Sequence, residues 1–219
     1  MAKPGVGVAA RRTGSALPVL PDVTGLGWSK VRAAAKELAA ARPGDALAKA
    51  AVSLLDAPEV QRRMLAVYLL GFAEGTETER AKRLSLLRER VPRDPSWEVQ
   101  EALAQAFDAY CAAVGYEAAL PAIDTWLGDA QPNARRAVSE GLRPWTARSR
   151  DYFARRPEEA IRRLAALRRD ASEYVRHSAG NALRDIRRAH AALVEAETAR
   201  WDLGDAREAF TYQRVLAAR

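Results

Sequence analysis

The sequence predicts an all-α protein of stacked antiparallel helices, and three observations carry that expectation. Alanine makes up about a fifth of the 219 residues and aromatic residues only 7%. Ala, Leu, Arg and Glu are strong helix formers, while the β-branched residues that favour strands are sparse. Amphipathic segments of 10 to 20 residues are separated by Asp, Pro or Gly, with no alternating strand pattern between them. A motif also recurs along the chain every 35 to 41 residues. No apolar run approaches the ~20 residues that cross a bilayer, and no charged-then-apolar leader opens the chain. A soluble, cytoplasmic protein without membrane contact is expected. The single Cys111 excludes an intramolecular disulfide, and with His177 and His190 it leaves little for a zinc site. With no Gly-rich phosphate loop either, neither a metal nor a cofactor is expected.

Taken in order, residues 1–25 carry Gly, Pro and two adjacent Arg residues without a helical period. They read as a flexible arm ahead of a single domain over residues 26–219. Helix breaks then fall at Pro43-Gly44, Asp56 to Pro58, Gly75-Thr76, Pro92 to Pro95, Gly115, Gly128 to Pro132, Pro144, Pro157 and Asp170. Three of these open the same pattern. Asp94, Asp129 and Asp170 each stand five residues before Val99, Ala134 and Val175, and each leads into an amphipathic helix. A looser copy begins at Asp56 and reaches Val60. Helix pairs at this period are the signature of a HEAT-like solenoid, in which each unit buries its apolar stripe on its neighbours.

The repeat sorts side chains onto faces. Counted from Val99, Ala134 and Val175, offsets +3, +4 and +8 are small or apolar: Ala102, Leu103 and Phe107; Ala137, Val138 and Leu142; Ser178, Ala179 and Leu183. This is the buried stripe. Offsets +2, +6 and +9 are polar: Glu101, Gln105 and Asp108; Arg136, Glu140 and Arg143; His177, Asn181 and Arg184. Three parallel helices set these nine side chains side by side. In the looser copy the same offsets give Arg62, Ala66 and Leu69, which confines the polar surface to the later repeats.

Charge points the same way. The formal net charge is +7, and all of it lies in residues 132–219, which hold 19 Arg and 12 acidic residues. A basic half beside a neutral half suggests a surface that meets a phosphate backbone, and the alternative is a composition that favours Arg over Lys with the surplus scattered. Arg135, Arg136, Arg143, Arg176 and Arg184 are candidate phosphate ligands. Arg135 and Arg176, at offset +1, have the alternatives of being solvated or of pairing with loop acids. Trp97 precedes Glu101 by four residues and Trp145 follows Glu140 by five, so each carboxylate has an indole near it. A carboxylate beside an indole suits a cationic substrate, although packing against the next repeat would also account for the tryptophans.

Residues 96–101 (Ser96 to Glu101), 133–145 (Asn133 to Trp145) and 174–186 (Tyr174 to Ile186) resemble the HEAT-repeat DNA alkylation repair proteins, the AlkC/AlkD group. The resemblance implies a right-handed solenoid that grips duplex DNA in its concave face. It also implies a monofunctional glycosylase acting on N3- or N7-alkylated purines, a monomer whose partner is double-stranded DNA bearing alkylated bases. By the same resemblance Glu101 matches the catalytic acid and Trp97 the Trp four positions before it. Arg136 matches a DNA-contacting Arg, and Glu140, Trp145 and Asp185 match acidic and aromatic cleft positions. Glu101, Glu140 and Asp185 are thus the catalytic candidates, and Trp97, Trp145 and Asn181 the substrate-binding ones. Asn181 departs from the pattern, standing where the AlkD branch has a second cleft Trp. Two other readings remain open: a HEAT-repeat module that holds DNA without breaking a bond, and a protein-interaction scaffold.

Overall fold

A computed structural model of the chain describes residues 17–143, 152, 153 and 155–217. Eleven α-helices and no strand occur among the described residues: α1 (Trp28–Ala41), α2 (Gly44–Val52), α3 (Val60–Phe72), α4 (Glu77–Arg90), α5 (Trp97–Val114), α6 (Tyr116–Leu127), α7 (Pro132–Gly141), α8 (Pro157–Ala165), α9 (Glu173–Arg187), α10 (Ala191–Thr198) and α11 (Ala206–Leu216). The odd-numbered helices α1, α3, α5, α7, α9 and α11 pack each on the next in one layer. The other helices connect and back them in a second layer.

Local chemistry sets the helix ends. Thr76 and Glu79 close a capping box at the start of α4, the Thr76 hydroxyl accepting from the Glu79 N–H and the Glu79 carboxylate accepting from the Thr76 N–H. Such a cap contributes on the order of 1 kcal/mol. Pro132 and Pro157 begin α7 and α8, where a missing N–H costs nothing. Between α5 and α6, Gly115 takes φ 91°, a conformation other residues rarely adopt.

The apolar stripe lies where the period puts it. Ala102, Leu103, Phe107, Ala137, Val138, Leu142, Ser178, Ala179 and Leu183 are each at most 2% exposed. Phe107 meets Trp126 of α6 at a ring-centroid distance of 4.5 Å, tying the two layers together. Burying a Leu or Phe side chain of this kind stabilises the fold by roughly 1.5–3 kcal/mol. α3 and α5 approach so closely at Gly71 that a Cβ there would stand 2.5 Å from the Ala106 Cβ and 2.6 Å from its Cα. Only glycine allows that contact.

The N-terminal boundary needs correction. Residues 1–16 of the expected arm lie outside the described residues. Val23, placed in the arm, is fully buried in the main core, and its carbonyl accepts from the Leu26 N–H at 3.0 Å. The packed domain therefore begins before residue 26.

One brace repeats through the inner layer and fixes its register. Arg135 donates from Nη1 to the carbonyl of Asp129, six residues back, while its Nε and Nη2 grip the Asp170 carboxylate that opens the next repeat at 2.6 and 2.7 Å. Arg63 does the same with the Ala57 carbonyl and the Asp94 carboxylate. Arg176 donates to the Asp170 carbonyl, and Gln100 to that of Asp94. Gln100 is too short to reach onward, and Arg88 of α4 takes Asp129 instead at 2.5 Å. The planar guanidinium suits this work because it can hold a carboxylate with two parallel bonds and still donate to a carbonyl. Arg63, Gln100, Arg135 and Arg176 are thus equivalent positions. The equivalent of Asp94 in the first repeat is Ala57 rather than Asp56, which pairs with Arg90. The sequence alignment of that copy is out by one residue at the turn and by two in the helix. Its inward positions are Met64, Tyr68 and Gly71, not Arg62, Ala66 and Leu69.

Candidate nucleic-acid interface

The concave layer brings the predicted carboxylates into one line. Glu101 on α5 meets Arg136 on α7, Oε2 to Nη2, at 3.3 Å. Arg136 also lies 3.8 Å from Glu140 one turn on. Glu140 accepts from Arg143 Nη1 at 2.8 Å and from the Ser178 hydroxyl of α9 at 2.6 Å. Arg143 closes the line on Asp185 of α9, with Nη2 and Nε at 2.8 and 2.9 Å from Oδ2. Carboxylates and guanidiniums alternate across three helices.

Burial differs sharply along this line. The Asp185 side chain is 0% exposed, Glu140 16% and Glu101 38%. Burial alone pushes the Glu140 carboxyl up, but Arg143, Arg136 and Ser178 together hold it below the usual carboxylate range. At Asp185 burial outweighs Arg143 and Arg184, and its carboxyl sits above the usual range. Arg143, despite its own burial, is held charged by Glu140 and Asp185. Glu140 and Asp185 are therefore committed to the ion-pair line, whereas Glu101 at its end keeps a face to solvent.

That face opens onto a groove of about 1090 Å³. Glu101, Gln105 and Asp108 of α5 line one side with Glu140 of α7, and Trp28, Arg32 and Lys36 of α1 line the other, with Arg80 nearby. Gly71 and Phe72 at the end of α3 lie between. Carboxylates thus face cations across the groove. Such a surface can hold an anionic backbone against one wall while a positive group meets the other. Among the described residues no cluster of His, Cys, Asp and Glu could hold a metal ion, and no helix is long and apolar enough to cross a membrane.

The family model of the DNA alkylation repair enzymes matches residues 21–197. This chain belongs to the DNA alkylation repair enzyme family. The crystal structure of AlkD2 from Streptococcus mutans is similar, with 40% identity and a TM-score of 0.80 over 86% of this chain and 88% of that one. The structure of smu.31 from Streptococcus mutans UA159 matches with 39% identity and a TM-score of 0.79 over 85% of this chain and 90% of that one. The alkylpurine DNA glycosylase AlkC of Pseudomonas fluorescens, bound to DNA containing an abasic site analog, shares the fold at 22% identity and a TM-score of 0.50. That match covers 86% of this chain and 60% of AlkC. Curated proteins offer no match.

On this alkylation-repair fold the residues singled out from sequence separate into three groups. Glu101, Arg136, Glu140, Arg143 and Asp185 come together in the ion-pair line. Arg135 and Arg176, expected as phosphate ligands, are instead braces bonded to Asp170 and to loop carbonyls, with Arg176 also 5.2 Å from the Phe210 ring. The loop-acid alternative holds for Arg135, because its fork is already filled. Arg136 is 8% exposed and stacks 4.6 Å from the Tyr174 ring, and the Arg184 Nε lies 3.7 Å from Asp185. None of these five arginines lines the groove. Trp97 and Asn181 stand apart from the line. Trp97, the first residue of α5, is 63% exposed and not part of the groove lining. Asn181 pairs with His177 at 3.1 Å, and Trp145 lies outside the described residues.

The α1 wall went unread in the sequence. Trp28, Arg32 and Lys36 recur every four residues, beside the buried stripe of Val31, Ala35 and Ala39, so a helical pattern was there to be found. No Asp-led motif precedes α1, and the repeat alignment never reached it.

Proposed function

We propose that this family member is a DNA glycosylase that hydrolyses the N-glycosidic bond of N3- or N7-alkylated purines in duplex DNA. The observation that supports the reading is the placement of Glu101. It is the most exposed of the three aligned carboxylates, lines the groove, and faces the cationic wall of α1. A purine alkylated at N3 or N7 carries a positive charge and leaves without a strong general acid. As the bond stretches, C1′ gains positive charge, as in O-glycoside cleavage. Ionised Glu101 stabilises that charge while water attacks C1′. The C1′–N electron pair departs with the base, which leaves neutral, and the proton of the attacking water passes to the Glu101 carboxylate and then to solvent. Arg32, Lys36 and Arg80 of the groove wall meet backbone phosphates, and exposed Trp97, one turn before Glu101, stacks on a base beyond the groove.

The test is release of base from a duplex carrying N7-methylguanine or N3-methyladenine. The expected result is free methylated base and one abasic site per base released, with none from unmodified duplex. A second reading, a module that binds DNA without cutting, is favoured by one observation: Arg136 already sits 3.3 Å from Glu101 and offsets part of its charge. Tight binding of the duplex with no base release at enzyme excess decides for that reading.

A further inference from the structure

Three aromatic side chains line the groove, and two of them are occupied within the fold. Phe72 stacks on Tyr68 at 5.4 Å, and Tyr116, 8% exposed, meets the Phe153 ring edge-on at 5.7 Å. Trp28 differs. It is 50% exposed, and among the described residues its ring meets no other ring or cation and its indole N–H has no acceptor. Helix formation gives no reason for a tryptophan there. Trp28 opens α1 after Gly27, which makes no side-chain cap, and indole is an indifferent helix former. The helix buries Val31, Ala35 and Ala39 instead. An aromatic face among convergent polar groups in a concave surface is the form of a ligand site.

The rest of the groove defines what that face receives. Opposite α1 stand Glu101, Asp108 and Glu140. Glu101 is held there by Gln105, whose Nε2 donates to it at 3.5 Å, and by Arg136 at 3.3 Å. Arg32 and Lys36 follow Trp28 by one and two turns on the same wall. A π-face, carboxylates across from it and cations alongside match a flat positive group joined to phosphates. A nucleotide whose purine is alkylated at N3 or N7 is such a molecule, whereas a neutral nucleotide makes no use of the carboxylates. α1 and α5 both pack on α3, so their axes stand two packing distances apart, roughly 16–20 Å, and side chains reach into that space from both sides.

Resting on the glycosylase reading above, we propose that Trp28 is the lesion-recognition residue of this groove. The cationic purine leaves the base stack and lies on the indole, Arg32 and Lys36 hold the adjoining phosphates, and Glu101 faces the sugar.

The experiment measures binding of wild type, Trp28→Phe and Trp28→Leu to three duplexes that differ at one position. One carries N7-methylguanine, one its neutral isostere 7-methyl-7-deazaguanine, and one guanine. A 2′-fluoro sugar at that position prevents cleavage, because fluorine disfavours positive charge at C1′. Wild type is expected to bind the charged duplex about tenfold more tightly than its neutral isostere. Trp28→Leu should abolish that preference while its affinity for the guanine duplex stays within about twofold and its melting temperature holds, as for an exposed position. Trp28→Phe should keep part of the preference, since its smaller ring retains a weaker π-face. Equal binding of the charged and neutral methylated duplexes by wild type overturns the proposal. So does a preference that survives in Trp28→Leu, or an equal loss of affinity for all three duplexes in that variant. Base release by wild type from the duplex with an ordinary sugar is scored separately. Release without the preference leaves the glycosylase reading standing and removes Trp28 from recognition. The preference without release removes the glycosylase reading and leaves Trp28 as the residue that binds the lesion.

Discussion

Arg143→Ala is expected to destabilise the fold by about 3–5 kcal/mol, the cost of leaving a buried ion without its partner. Arg143 carries charge-assisted bonds to both Glu140 and Asp185, and the Asp185 side chain is wholly shielded from water. Without the guanidinium, Asp185 keeps an ion pair with Arg184 at 3.7 Å among the described residues, and Glu140 keeps Arg136 at 3.8 Å and Ser178. For a domain of this length the loss corresponds to a fall in melting temperature on the order of 10 °C. The pH dependence carries a definite sign. Glu140 is held below its usual range, so the stability it contributes is present at neutral pH and lost as pH falls through its folded value. Asp185 is held above its usual range, so its buried charge weakens the fold as pH rises through that value. Removing Arg143 weakens the first effect and worsens the second. The deficit of the variant should be greatest at neutral pH and narrow below about pH 4, where carboxylates take up protons. Thermal denaturation of both proteins across pH 3.5 to 7 checks this, and a deficit independent of pH would show that lost packing, not charge, explains it.

Glu101→Gln is expected to slow base release by on the order of 100-fold or more, the usual effect of removing one aimed electrostatic stabiliser. Glutamine preserves the shape of the side chain and its reach towards Gln105 and Arg136 but removes the charge. Stability should change little, because Glu101 is the most solvated member of the line. Duplex affinity should hold or strengthen, since a negative charge leaves a groove proposed to receive phosphates. Single-turnover rates separate the two quantities. Equal rates for wild type and variant remove Glu101 from the chemistry, and a loss confined to affinity assigns it to binding.

What could be read from the sequence followed the helical period. The nine stripe residues from Ala102 to Leu183 were legible because a buried face repeats whatever the tertiary context. Glu101, Arg136, Glu140 and Arg143 were legible as neighbours because equivalent positions on stacked repeats must lie side by side. Asp185, one position beyond the polar row, came only through the family resemblance. The arginines were harder. In sequence, Arg135 has the same appearance whether it grips a phosphate or the Asp170 carboxylate, and only the stacking of repeats supplies the acid. The first repeat was misread because an Asp, at position 56, stands one place before the position that carries the turn. The recurring physical feature there is the donor six residues on, Arg63, rather than the acid. Tyr68 escaped notice for the same reason, since the wrong register put Ala66 in its row.

In the proposed mechanism everything turns on ionised Glu101 stabilising positive charge at the sugar. That stabilisation is tested most directly by binding, without turnover, of duplexes carrying a cationic pyrrolidine in place of the target sugar or its neutral tetrahydrofuran counterpart. An enzyme complementary to a cationic transition state binds the charged analogue more tightly. The expected result is an advantage of about 10-fold or more for the pyrrolidine in wild type, lost in Glu101→Gln. Equal affinity of wild type for both duplexes, or an advantage that survives in Glu101→Gln, contradicts the account.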